Sequence, residues 1–154
     1  ITSYNFSPIK NLSGHQIKRY DLHAGVSIPN YDNGNTQVLE EGMIIAIEPF
    51  ATEGKGKVKE GKPSSIYRLI EKRPLRDPTT KKILNYIEKE YSTLPFCKRW
   101  IQKKFPTANF SLKILENQGI IKQYAQLPEE SKGIVSQFEH TILVKDKPVV
   151  LTQL

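Results

Sequence analysis

The chain has 154 residues, with 23 Lys and Arg against 16 Asp and Glu, a formal charge of +7, and 38% apolar and 25% charged side chains. This balance describes one soluble globular domain or a piece of one, too rich in aliphatic and aromatic residues for a disordered segment. A bilayer-spanning helix needs roughly 20 consecutive apolar residues, and the longest apolar run, Met43 to Ile47, falls far short.

The single cysteine, Cys97, excludes an internal disulfide framework and a Cys-rich zinc cluster, and it suits a reducing, cytoplasmic setting. The start, Ile1-Thr2-Ser3-Tyr4, has neither an initiator Met nor a basic-then-apolar signal, which predicts part of a longer product. Basic clusters stand at Lys55, Lys57, Lys59 and Lys62, at Lys72, Arg73 and Arg76, and at Lys98, Arg99, Lys103 and Lys104. They suit an acidic partner such as nucleic acid, and solvated loops or helix faces account for them equally well.

From Asn11 to about Arg73 the pattern predicts strands and hairpins. Short apolar runs, Val26 to Ile28, Ile44 to Ile47 and Ile66 to Ile70, alternate with Asn-Gly, Gly-Lys-Gly and Gly-Lys-Pro turns. At Asp77-Pro78 an N-cap followed by a first-turn proline opens a helix with Ile83, Leu84, Ile87 and Tyr91 at helical spacing. A second helix is expected from Pro95 through Lys104, with Phe96, Trp100 and Ile101 on one face. A third, capped by Thr107, carries Phe110, Leu112, Ile114 and Leu115 to a stop at Gly119. From Gly133 strands return in Ile134 to Phe138, Thr141 to Val144 and Val149 to Leu151. The expected organisation is therefore a sheet domain over 1–76 and 128–154, interrupted by a helical subdomain over 77–127.

Without a nucleophile elbow, phosphate loop or dinucleotide fingerprint, the chemistry falls to histidines and carboxylates. The histidines are His15, His23 and His140. Small residues flank the first two, in Ser13-Gly14-His15 and His23-Ala24-Gly25, leaving room for another group to approach. A lone histidine in a strand-rich segment is more often structural, so these two need corroboration. Glu48 supplies some by ending the apolar strand Met43 to Ile47, and Glu139 repeats the oddity inside Val135 to Leu143. A carboxylate buried in a strand is costly unless paired or bound to a cation. An exposed edge position is the alternative. If His15 and both glutamates converge, they form a nitrogen and oxygen ligand set for a divalent metal.

Several stretches together carry a specific resemblance. Asn11-Leu12-Ser13-Gly14-His15, His23-Ala24-Gly25-Val26-Ser27-Ile28-Pro29, Glu40-Glu41-Gly42, Ala46-Ile47-Glu48-Pro49-Phe50-Ala51-Thr52, Thr93-Leu94-Pro95-Phe96, Lys98-Arg99-Trp100 and Gln137-Phe138-Glu139-His140-Thr141 run in the order seen in type II methionine aminopeptidases. The chain closely resembles the archaeal form of that family, and the helices between Asp77 and Leu127 match its helical insert. The resemblance implies an α+β fold, the C-terminal half of a pita-bread architecture whose two halves enclose a pair of divalent metal ions, cobalt, manganese, iron or zinc.

Carried over residue by residue, it makes His15, Glu48 and Glu139 metal ligands, with Glu139 bridging the ions. His23 would hydrogen-bond the scissile carbonyl, and His140 would support Glu139 or its strand. Leu22, Ile66, Pro95 and Tyr124 would shape the methionine pocket, although Tyr124-Ala125-Gln126-Leu127 departs from the family's Tyr-Pro-Pro-Leu. Cys97 has no role in such hydrolysis.

The family's two aspartate ligands and a further histidine precede Asn-Leu-Ser-Gly-His, and Asp21, Asp32, Asp77 and Asp146 occupy none of those motifs. The implied partner is thus an N-terminal half carrying the aspartates. The implied substrate is the nascent polypeptide, with ribosome contact through the basic insert and no membrane association. A noncatalytic pita-bread module that binds ribosomes or RNA is the alternative, and retention of the ligand set argues against it. A proline-specific relative is disfavoured by Thr-Leu-Pro-Phe and by the insert.

Overall fold

The computed structural model describes residues 1–153. After a 3-10 turn at Thr2–Tyr4 come strands β1 (Ser7–Pro8), β2 (Ser13–Ile17), β3 (Ser27–Pro29), β4 (Ile44–Ile47), β5 (Phe50–Thr52) and β6 (Pro63–Leu69). Helix α1 (Pro78–Tyr91), strand β7 (Phe96–Cys97), helices α2 (Lys98–Lys104) and α3 (Ala108–Asn117), and strands β8 (Ile121–Ala125), β9 (Val135–Gln137), β10 (His140–Leu143) and β11 (Val149–Val150) follow. Among these residues no helix is long and apolar enough to cross a membrane.

Two compact units result, one from Ile1–Glu60 with the segment from Leu127 onward, the other from Gly61–Gln126. The second begins upstream of the Asp77 boundary expected from the sequence, because β6 pairs with β7 and β8 and sends Tyr67 into the helical core. That core contains Ile83, Leu84 and Ile87 of α1, Phe96, Ile101 of α2, and Leu112 and Leu115 of α3, all nearly inaccessible. Asp77 caps α1 as its sequence predicts, with its carboxylate accepting the Thr80 amide at 2.7 Å.

Three expectations for this unit are corrected. The second helix starts at Lys98, since Phe96 and Cys97 instead pair with Tyr67 and Ile66 as a strand that buries the Phe96 ring. Trp100 and Phe110 are exposed on the helices and take no part in the core. Thr107 sits at the N-cap of α3 without a side-chain capping bond. Gly119 does end that helix, with φ +71, a left-handed turn that glycine adopts without steric cost. Strand β8 has no clear signal in the sequence, because Ile-Lys-Gln-Tyr-Ala is short and half polar.

In the first unit, strands are antiparallel in two sheets, ordered β1-β5-β9 and β11-β10-β4-β2-β3. Ile45 and Ala46 of the central β4 are buried, as an apolar run flanked on both sides requires. One register runs through both sheets. Residue 47 pairs with 140 and residue 50 with 137, so β4 and β5 face β10 and β9 as one interrupted ribbon. Pro49, which has no N–H to donate, lies at the interruption.

Candidate metal centre

The interruption in the ribbon is where the two singled-out glutamates lie. By the shared register Glu48 falls opposite Glu139, on either side of the break. Like charges directly opposite each other across antiparallel strands are destabilising. Burial pushes the Glu48 carboxyl above its usual pKa, the Glu139 charge adds to the rise, and His15 opposes both by charge and hydrogen bonding.

His15 comes from β2, opposite Ala46 of β4, so its side chain shares a face with that of Glu48 two residues on. Its Nε2 lies 3.0 Å from Glu48 Oε1, and both side chains are mostly buried, 12% and 16% exposed. When Nδ1–H donates to the Gln16 carbonyl at 3.3 Å, a neutral ring presents the Nε2 lone pair to the carboxylate. Two acceptors that close need a proton or a cation between them.

Gly14 explains how β2 comes so near. A Cβ there would overlap the Ala46 carbonyl oxygen and press on Glu48 N at 3.1 Å. The small residue beside His15 thus admits the backbone of β4 and not an outside group.

His23 is placed by a reversal of the chain. Lys18 and Asp21 exchange backbone hydrogen bonds at 2.9 Å, and Ala24 and Val26 then bond back to Gln16, both at 2.8 Å. Gly25 lies between them at φ +117, which a side-chain-bearing residue rarely adopts. The exposed His23 ring ends 4.3 Å from the His15 ring, centroid to centroid, at a tilt of 57°. His15, His23, Glu48 and Leu22 line one cleft of about 380 Å3, whose apolar walls include Leu12, Phe50, Val58 and Val135.

Glu139 accepts a hydrogen bond from Gln137 Nε2 at 3.3 Å. Among the described residues no three His, Cys, Asp or Glu side chains gather closely enough to hold a metal ion. The donor types do fit a divalent transition metal: an imidazole nitrogen in contact with a carboxylate, and a second carboxylate facing the first. What this chain brings together is His15 with Glu48, with Glu139 opposite.

His140 does not enter the cleft, its Nδ1 lying 3.0 Å from Thr152 Oγ1. The other expected pocket residues belong to the second unit. Ile66 follows Ser65, at φ +66, within an irregularity between Pro63 and Tyr67 of β6, Pro95 immediately precedes β7, and Tyr124 is on β8. Cys97 occupies the N-cap of α2 without a side-chain capping bond.

One buried carboxylate has no place among the sequence expectations. Glu129, 2% exposed, accepts from the amides of Lys55, Ser131 and Gly133 and from the Ser131 hydroxyl. The local signal, Glu129-Glu130-Ser131-Lys132-Gly133, reads as an ordinary polar turn and does not say which glutamate points inward.

Comparison with known proteins follows the same lines. The model of metallopeptidase family M24 matches residues 1–146. Methionine aminopeptidase of Methanocaldococcus jannaschii is 45% identical over 152 residues, 99% of this chain and 51% of that protein. The chain thus spans about half the length of the curated relatives it matches. The structure of a thermophilic Arx1 superposes with a TM-score of 0.77 at 20% identity, over 97% of this chain and 41% of that one. Methionine aminopeptidase of Thermotoga maritima does so at 0.51 and 21% identity, over 100% and 38%. These two likenesses concern the fold, and with them the expected α+β pita-bread architecture holds. Since the family match runs through nearly the whole chain, this chain belongs to metallopeptidase family M24.

Proposed function

We propose that the whole protein removes the initiator methionine from nascent polypeptides, with this chain forming one wall of the active site. The observation that carries the reading is the contact between His15 and Glu48, an imidazole nitrogen 3.0 Å from a mostly buried carboxylate oxygen in one cleft. The 45% identity to an archaeal methionine aminopeptidase supports it. His15, Glu48 and Glu139 are the donors from this side, and a complementary N-terminal half supplies two aspartates and a further histidine. The reading puts the protein in the cytoplasm, where nascent chains emerge.

A pair of divalent ions, of cobalt, manganese, iron or zinc, supplies Lewis acidity and lowers the pKa of water when bound. The rest falls to the protein. His23 donates from the lip of the cleft to the scissile carbonyl, where a placed donor gains most as negative charge develops. Leu22, beside it in the cleft, offers apolar surface to the methionine side chain. Mixing this chain with its complementary half and a Met-Ala-Ser peptide, with cobalt or manganese added, is expected to release free methionine. Absence of turnover with every metal tried would sink the proposal.

A second activity is favoured by charge. Fourteen Lys and Arg against five Asp and Glu fall between residues 61 and 126, and nine against eleven elsewhere. All of the net positive charge therefore resides in the helical unit, where Lys98, Arg99, Lys103 and Lys104 project from or flank α2. Such a surface suits the phosphate backbone of ribosomal RNA. Ribosome cosedimentation is expected to weaken steeply from 50 to 200 mM salt as counterions compete, by about 10-fold or more for several phosphate contacts. Sedimentation indifferent to salt contradicts it.

A further inference from the structure

Strand β9 poses a mechanical problem. It is the edge strand of its sheet, only Val135–Gln137 long, and all its residues are exposed. No burial on either face fixes its register, which a slip of one residue would invert. Yet Glu139 follows two residues later, between this strand and β10, and its position opposite Glu48 is set from one side by the β10–β4 pairing and from the other by this register. Across the break the Phe138 amide donates to the Pro49 carbonyl at 3.3 Å, a long bond.

The far end of β9 is held differently. Glu129 Oε1 accepts from the Lys55 amide at 2.6 Å, while Oε2 accepts from the Ser131 amide and hydroxyl, both at 2.6 Å, and from the Gly133 amide at 3.0 Å. One buried carboxylate thus ties the turn after β5 to the turn before β9. Beside it the Thr52 hydroxyl donates to the Ile134 carbonyl at 2.8 Å and accepts from the Gly54 amide at 3.0 Å.

Two glycines leave the room this needs. A Cβ on Gly54 would come 2.5 Å from the Glu129 carboxylate, and one on Gly133 would come 2.6 Å from Gly54 N. The hydroxyl of Ser131 above all, then the amides of Gly133, Ser131 and Lys55, holds the Glu129 carboxyl down to about 2, against the opposing effect of burial.

We infer that Glu129 is a positioning residue, whose carboxylate locks the 52–55 turn to the 129–134 turn and thereby holds β9 in the register that, together with the β10–β4 pairing, puts Glu139 opposite Glu48. The lock itself is independent of any reaction. Its catalytic consequence rests on the methionine aminopeptidase reading. Glu129 meets the cleft wall only through its backbone bridge to Val58, while its carboxylate bonds no residue of the cleft and acts through β9.

Two readouts separate the two claims. In the full chain, Glu129→Gln places an amide NH2 where only donors point at it, and backbone hydrogen exchange of the β5–β9 ladder is expected to accelerate about 10-fold or more while α1 is unchanged. In the protein assembled with its complementary half, kcat is expected to fall about 10- to 100-fold with KM within about twofold, as small misplacements of reacting groups do. Glu129→Asp, which keeps the charge, recovers part of both. Should Glu129→Gln fail to fold, Ser131→Ala removes the hydroxyl bond alone and is expected to move both readouts less, in the same direction. Unchanged ladder exchange, or acceleration as large in α1 as in β9, overturns the lock. An accelerated ladder with unchanged kcat overturns the catalytic consequence, and a wild type without turnover overturns the aminopeptidase reading while leaving the exchange result to decide the lock.

Discussion

His23→Ala, in the protein assembled with its complementary half, is expected to lower kcat about 10²- to 10³-fold, or about 2.7 to 4 kcal/mol of transition-state stabilisation, the usual loss for one oxyanion donor. Metal content is expected to stay as in the wild type. The reasons are geometric. His23 is exposed at the cleft and presents its ring at 4.3 Å from that of His15, while the contact that needs a cation or proton is between His15 and Glu48. Its backbone is set by the Lys18–Asp21 reversal and the bonds of Ala24 and Val26 to Gln16, none of which involves the imidazole. Truncating the ring therefore removes a donor and leaves these backbone bonds in place. His15→Ala is the complementary measurement, expected to lower metal content as well as kcat. If His23→Ala strips the metal instead, the two histidines have been assigned the wrong roles.

The parts of this site legible in the sequence are those whose chemistry conflicts with their surroundings. Glu48 ends an apolar strand and is mostly buried, a real conflict, whereas Glu139 is exposed beside an edge strand and is legible only as the partner that the ribbon register sets opposite Glu48. His15 and His23 are legible only beside their glycines, and for Gly14 the sequence pattern assigns the wrong neighbour. Gly14 admits the carbonyl of Ala46, a contact across strands whose pairing no local pattern specifies. Helix α1 is readable from Asp77 to Tyr91 because its cap, proline and apolar spacing agree. Helix α2 reads too long because Phe96 and Cys97 are apolar enough for either state, and only pairing with β6 decides. Glu129 is invisible for a different reason. Its burial is compensated by backbone amides from residues 55, 131 and 133, and amides leave no signature in a sequence.

The same gap between local pattern and packing makes Gly14 the most informative single substitution outside the chemistry. Gly14 is buried in β2 between Ile28 of β3 and the backbone of β4, and its φ is not one reserved to glycine, so alanine is acceptable there on conformational grounds. The obstacle is space. The atoms a Cβ would meet are Ala46 C and O and Glu48 N, all main-chain atoms of a central strand that cannot swing aside as a flexible side chain would. Gly14→Ala must push β2 away from β4, and overpacking of this kind costs about 1–3 kcal/mol. The displaced residues are His15 and Glu48 themselves, which meet at 3.0 Å. The expected result is a lower urea midpoint at unchanged m value, together with, in the protein assembled with its complementary half, a smaller rise in Tm on adding manganese. Gly42→Ala separates the two effects. At φ +87, with nothing within 4 Å of an added Cβ, it suffers backbone strain of about 1–2 kcal/mol and crowds no neighbour. Its midpoint is expected to fall comparably while the manganese-induced rise is retained, because Gly42 lies ahead of β4 and away from the His15 contact. A Gly14→Ala protein with wild-type stability and wild-type response to manganese would show that β2 can move off β4 at no cost, and that the close approach of the two strands does not hold His15 against Glu48.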